Sequence, residues 1–299
     1  MSLTLFYFLG IAAIYILMSW AIYIPYRMGQ LHFMTVANMA ISAYFAAVAT
    51  LSWGWPFWLV LIAGTLLGAL IGWIASFAIG DAPCFAVVIV GFTLIYLTKT
   101  IIENTEALGG PLGIFSIPKI IEGTSAANRH VILIIVYLLV LLVGYLIYRM
   151  DHSRLGRAAS SIFIDRELAT TFGVNVKKMG MFLQTFGSAI GGMSGVMYLF
   201  IMRAISPNHF TFHLIGVCMT MLFVGGYTTQ WGVLIAAPLL WGIPLILPES
   251  VQSWKIVIYG VLLISVLVVK PEGFITRPFL SKISHRIQKI LFKKVEDKI

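Results

Sequence analysis

The residue types and spacing that point most directly to a function lie between Asp165 and Gly173, in the run Asp-Arg-Glu-Leu-Ala-Thr-Thr-Phe-Gly. Asp165 is a suitable N-cap and Gly173 a suitable stop, so the run predicts a short helix. Leu168, Ala169 and Phe172 then share one face, and Arg166 and Glu167 point elsewhere. Such a helix can lay its apolar face in a groove of a partner protein; on periodicity alone it can equally rest on a membrane surface. Covalent and metal chemistry have no comparable carrier. The six histidines show no metal-ligand spacing and the chain has no Walker-type phosphate loop, so it does not hydrolyse nucleotide itself. No acidic residue falls at the centre of an apolar run, where it would suggest an ion relay, and no paired Asp, Ser/His or HExxH arrangement lies in one.

The elements around this helix are set by composition. Of 299 residues 60% are apolar and 10% charged, with a mean hydropathy of +0.97, which excludes an ordinary soluble globule. Apolar runs long enough for a ~30 Å hydrocarbon core recur along the whole chain. The expected fold is therefore all-α: a polytopic transmembrane bundle of about nine spans (range 8–10). Residues 3–24 lack a basic n-region and a cleavage site and read as a retained first span. The formal charge of +9 does not indicate nucleic acid. Six of the 20 Lys and Arg lie in 149–178 and eight more from Lys270 onward, the positive-inside pattern of cytoplasmic segments. This puts the N-terminus outside, and the C-terminus and the 149–178 loop in the cytoplasm. Residues 1–278 form one transmembrane domain, and 279–299 read as a basic amphipathic tail on the inner surface. Cys84 and Cys218 each sit in an apolar run and read as small buried hydrophobes.

Four features within the spans carry further expectations. Gln30, Thr35, Asn38 and Tyr44 are polar groups in or beside the second span, costly unless they face the interior; they line a path or bond to neighbouring helices. Gly187, Gly191 and Gly195 repeat every four residues in the sixth span, and Gly64, Gly68 and Gly72 do so in the third, which predicts close helix packing. The run Val233–Leu247 is interrupted by Pro238 and Pro244 and reads as a broken or partly inserted helix. Lys99 and Glu103 stand one turn apart and read as a pair near the outer surface, with a pathway position as the alternative.

Glu167-x-Ala169-x-x-x-Gly173 resembles the EAA motif of ABC importer permeases. Its surroundings resemble the branched-chain amino-acid and urea permeases, particularly their M-type subunit. The matching pieces include Leu155-Gly156-Arg157-Ala158, Gly173-Val174-Asn175-Val176, Ser188 to Gly192, Leu108 to Ile114, and Lys270-Pro271-Glu272-Gly273. They run through nearly the whole chain in family order. The resemblance implies a multi-pass subunit of the bacterial plasma membrane with no cofactor of its own. Its implied partners are two ATP-binding subunits that hold ATP and Mg, a second permease subunit and an extracytoplasmic solute-binding protein. It also implies that Glu167, Ala169 and Gly173 form the core of a coupling helix, and that Gly29 to Tyr44 contributes to the solute path. The chain departs from the family pattern at His32, Phe33, Ser42 and Thr228-Thr229. The expected solute is small and polar, an amino acid with an aliphatic side chain; an ATP-independent channel or facilitator for urea is the other reading, and such a protein has no need of a coupling helix.

Overall fold

The computed structural model describes residues 2–120, 125–246, 254–270 and 272–275. The expected tail helix, 279–299, lies outside the described residues. The described chain is a helical bundle: α1 (Leu3–Tyr26), α2 (Met34–Leu51), α3 (Phe57–Ile79), α4 (Cys84–Glu103), α5 (Ser125–Asp151), α6 (Arg154–Ile164), α7 (Arg166–Thr171), α8 (Val176–Met202), α9 (Phe212–Gly225), α10 (Trp231–Ile246) and α11 (Lys255–Val269). Among the described residues, seven segments are long and apolar enough to cross a bilayer: α1 to α5, α8, and the stretch Pro207–Gly225 that contains α9. Apolar helix in α10 and α11 is shorter, so length alone yields seven where the sequence reading counted about nine.

Local chemistry explains the boundaries. Pro56 and Pro83 stand at the N-caps of α3 and α4, where a fixed φ and a missing donor cost nothing. Asn175 caps α8, its Oδ1 accepting from the Lys178 amide at 2.9 Å. Three boundaries differ from the sequence reading. α5 begins at Ser125, whereas the apolar run in the sequence spans His130 to Tyr148, because Asn128 and Arg129 are accommodated in its first turns, where Asn128 Oδ1 accepts from the Ile120 amide at 3.0 Å. α10 is continuous through Pro238 and Pro244 instead of broken. The polar 149–178 loop holds two helices, not one. α6 has Ser153 as its N-cap and buries Gly156, Ala159 and Ile162 at helical spacing, a pattern that its basic residues mask in the sequence.

α8 is the central post and packs on α1, α2 and α3. Its glycines let backbones touch. A Cβ at Gly187 would stand 2.6 Å from the Ala21 carbonyl oxygen and one at Gly191 2.8 Å from that of Thr35; one at Gly195 would meet the Met39 carbonyl. Across the other face, a Cβ at Gly68 would stand 2.8 Å from the Ser188 carbonyl oxygen. Outward faces of α3 and α5 keep Ile62, Leu66, Leu138 and Leu141 exposed, as lipid-facing surfaces require. At the C-terminal end of α8, residues 114 and 205 form an antiparallel bridge, and Arg203 Nε donates to the Ile117 carbonyl at 2.9 Å, docking the 104–120 loop there.

Candidate coupling surface and polar path

α7 is built as its residues suggest. Asp165 Oδ1 accepts from the Leu168 amide at 2.9 Å, and Gly173 takes φ +82°, a conformation that a side chain strains. The Val174 amide then closes back on the Ala169 carbonyl at 3.1 Å. The apolar residues of this helix divide. Ala169 is buried, whereas Leu168 is 53% and Phe172 80% exposed, and Ile164 just before the N-cap is 84% exposed. Leu168 and Phe172, four residues apart, form an exposed apolar edge of α7 beside the exposed Glu167, and Ile164, the last residue of α6, is exposed just before the N-cap. Arg166 turns the other way and donates to the Asp81 carbonyl in the α3–α4 turn.

That turn is a meeting point. The C-terminal carbonyls of α3 have no partners within the helix and carry its negative dipole end, so they attract donors. Gln184 of α8 donates Nε2 to the Ile79 carbonyl at 3.2 Å. Gln30 donates to the Ala82 carbonyl at 2.8 Å. Arg166 takes the Asp81 carbonyl between them. Gln184 Nε2 also donates to Gln30 Oε1 at 2.6 Å, so α8 and the α1–α2 connector are joined directly. A single turn thus links α7, α8 and the start of the polar segment.

The four expected path residues are all buried but differ in how they are satisfied. Gln30 is engaged as described. Thr35 Oγ1 donates to the His32 carbonyl at 3.1 Å. The side-chain N and O of Asn38, and the Tyr44 hydroxyl, have no hydrogen-bond partner among the described residues. Nor do they share one wall. Asn38 is a turn away from Thr35, whose backbone faces Gly191, and from Ser42, whose hydroxyl donates to the Gly64 carbonyl at 2.9 Å. Tyr44 instead sets its ring edge-on to Phe210, with centroids 6.2 Å apart. His32 shares a 2.9 Å hydrogen bond with Ser188 in the middle of α8, and its Nδ1 is unpartnered. The structure therefore brings Gln30, His32, Thr35 and Asn38 to the α8 side of the bundle and leaves Tyr44 apart.

Sequence reasoning missed a second cluster. Asp151, at the end of α5, accepts from the Tyr23 hydroxyl at 2.6 Å and from Arg27 Nε at 3.2 Å. Arg27 Nη2 donates to Ser160 of α6 at 2.7 Å. This ties α1, α5 and α6 together beneath the spans. In the sequence Asp151 is one charge among several, and only the return of α1 to the same level pairs it with Arg27. The Lys99–Glu103 pair is present at 3.6 Å, each side chain partly exposed. Among the described residues, no group of three or more His, Cys, Asp or Glu could hold a metal ion.

The chain is similar to known proteins over most of its length. A family model described as branched-chain amino acid transport system / permease component matches residues 4–267. The high-affinity branched-chain amino acid transport system permease protein LivM of Escherichia coli (strain K12) is 27% identical over 271 residues, covering 81% of this chain and 63% of that protein. The LivM protein of Salmonella typhimurium matches with the same identity and coverage. The chain thus spans just under two thirds of the length of these relatives. No solved structure matches it.

Proposed function

We infer that this chain, which belongs to the family of branched-chain amino acid transport system permease components, is one membrane subunit of an ABC importer for amino acids with aliphatic side chains. The observation that carries the reading is the edge of α7. Leu168 and Phe172, with Ile164 at the end of α6 just before them, stay exposed while the capping and the Ala169 anchor hold the helix in place. A membrane subunit that exposes such an edge beside its basic inner segments has a partner there, and without a phosphate loop of its own the partner is the ATPase.

In this reading two ATP-binding subunits hold ATP and Mg, and one of them seats α7 through Ile164, Leu168 and Phe172, with Asp165, Glu167 and Gly173 shaping the contact. A related second permease chain completes the membrane pair, and an extracytoplasmic binding protein delivers the solute. The complex resides in the bacterial plasma membrane with the N-terminus of this chain outside and its C-terminus in the cytoplasm. ATP binding favours one access state. Arg166 and the α3–α4 turn carry that bias to Gln30 and Gln184, and the close contacts at Gly187, Gly191 and Gly195 make α1, α2 and α8 move together. Gln30, Thr35, Asn38 and Tyr44 belong to the solute path. Support for this comes from the unpartnered polar atoms of Asn38 and Tyr44, which are costly to bury unless another state gives them partners.

The test is reconstitution of the chain with its ATPase and second permease subunit. Replacing both Leu168 and Phe172 with Ser should lower ATP-driven leucine uptake at least about tenfold, as the loss of two buried apolar contacts predicts. Unchanged uptake at normal assembly overturns the docking assignment. Transport by this chain alone in ATP-free liposomes overturns the importer reading in favour of a facilitator.

A further inference from the structure

On the α7 side of the bundle, a cavity of about 430 Å³ opens between the end of α1, α6 and the turns after α9 and α11; Tyr26, Arg27, Phe163, Ile164, Tyr227 and Glu272 line it. Three rings build one wall. Tyr26 stands edge-on to Phe163 and to Tyr227, with centroids 5.7 and 5.4 Å apart, and Phe163 lies 6.3 Å from Tyr227. The cavity also carries both signs of charge. Arg27 spends Nε on Asp151 and Nη2 on Ser160, and its Nη1 makes no hydrogen bond among the described residues. Glu272 is exposed and forms no ion pair among them. The turn that carries Glu272 is fixed on α9: the Phe274 amide donates to the Val224 carbonyl at 3.0 Å and the Ile275 amide to the Gly225 carbonyl at 2.9 Å. The walls are thus in place before any ligand arrives, which lowers the cost of binding.

The chemistry that suits these walls is specific. Arg27 and Asp151 compensate each other, so the uncompensated charge is the Glu272 carboxylate, which calls for an ammonium group. The spare Arg27 N–H calls for an acceptor, and the three rings call for an apolar side chain. A simple carboxylic acid would face Glu272 without a counter-charge, and a simple amine would leave the Arg27 donor idle. We propose that this cavity binds a free zwitterionic α-amino acid at the inner mouth of the transporter, and that its occupancy restrains α7. The choice of an amino acid as transported solute rests on the function proposed above; the lining of the cavity is independent of it. Phe163 and Ile164 line the cavity and directly precede Asp165, the N-cap of α7. A ligand held against them therefore biases the α6–α7 corner on which the ATPase would dock, and the delivered solute slows its own import.

The experiment uses proteoliposomes of the full complex loaded with ATP and graded unlabelled leucine, with labelled leucine and the binding protein outside. Internal leucine should reduce initial uptake in the wild type, whereas 3-methylbutylamine, which lacks the acceptor, and 4-methylpentanoate, which lacks the ammonium, should not at the same concentration. Glu272→Gln should raise the half-inhibitory leucine concentration about tenfold, as expected for losing one charged partner, and Phe163→Ala should shift it in the same direction. Inhibition in both variants identical to that of the wild type, or equal inhibition by 3-methylbutylamine, overturns the site. If leucine is not imported even with an empty interior, the transport reading fails, and the site is read by binding of labelled leucine to the solubilised complex without binding protein. Binding weakened by Glu272→Gln upholds it, and absent or unchanged binding overturns it.

Discussion

The side-chain amide of Gln184 donates to that of Gln30 at 2.6 Å, in a fully buried contact between the middle of α8 and the connector that leads into α2. Gln30 in turn holds the Ala82 carbonyl at 2.8 Å. Gln30→Ala removes the donor to the Ala82 carbonyl and leaves Gln184 Nε2 with the Ile79 carbonyl alone, and a buried polar group left without a partner costs about 1–3 kcal/mol. Replacing both glutamines with Leu should cost less than the sum of the two single changes. A double-mutant cycle on thermal unfolding in detergent checks this; strict additivity would show that the contact carries no coupling.

Asp151 is the second buried joint. Its side chain is 7% exposed and that of Arg27 12%, so Asp151→Ala leaves a nearly buried guanidinium without its counter-ion. A loss of about 3–5 kcal/mol follows, against about 1 kcal/mol for Tyr23→Phe, which removes one hydrogen bond and strands no charge on the Arg27 side. Melting of the purified variants gives the order. Equal stability of Asp151→Ala and Tyr23→Phe would show that the carboxylate does not hold α1 to α5 and α6.

On α7, stability and coupling should separate. Phe172→Ser changes an exposed side chain and should leave folding within about 0.5 kcal/mol of wild type while uptake falls. Asp165→Ala removes the N-cap at a cost of about 1 kcal/mol, and Gly173→Val adds strain at φ +82°. Limited proteolysis of the 165–175 segment should accelerate in the latter two variants only. Faster cleavage in Phe172→Ser as well would mean that the ring contributes to the fold of the free subunit.

Asn38 distinguishes a path residue from a packing residue. Both polar atoms of its side chain are buried without partners, so Asn38→Leu should hold or raise the melting temperature. A path role requires that leucine uptake fall nevertheless. Uptake and stability moving together would assign Asn38 to packing.

Close approach at Gly195 gives the most severe expectation. A side chain there runs into the Met39 carbonyl, so even Gly195→Ala must push α2 from α8, and Gly195→Leu should cost about 3 kcal/mol or more. Detergent-solubilised expression yield reads the loss. Gly216→Ala, at a site with open space around it, serves as the tolerant control.

The sequence by itself determined the membrane class, the approximate place of each long helix, and α7 with both of its ends. These depend on properties that are local in the chain: apolar run length, proline and glycine breaks, and the capping chemistry of Asp165 and Gly173. It also marked the Gly187, Gly191 and Gly195 strip, since a four-residue period is visible without a partner. The fold decided which carbonyl each glycine meets. It also turned Ala169 inward and left Leu168 and Phe172 outside, and it split Asn38 from Tyr44. Asp151 with Arg27, Gln30 with Gln184 and Arg166 with the Asp81 carbonyl are 124, 154 and 85 residues apart in the chain. No periodicity connects such positions. They meet because successive helices return the chain repeatedly to the same end of the bundle, where buried donors and acceptors must find one another.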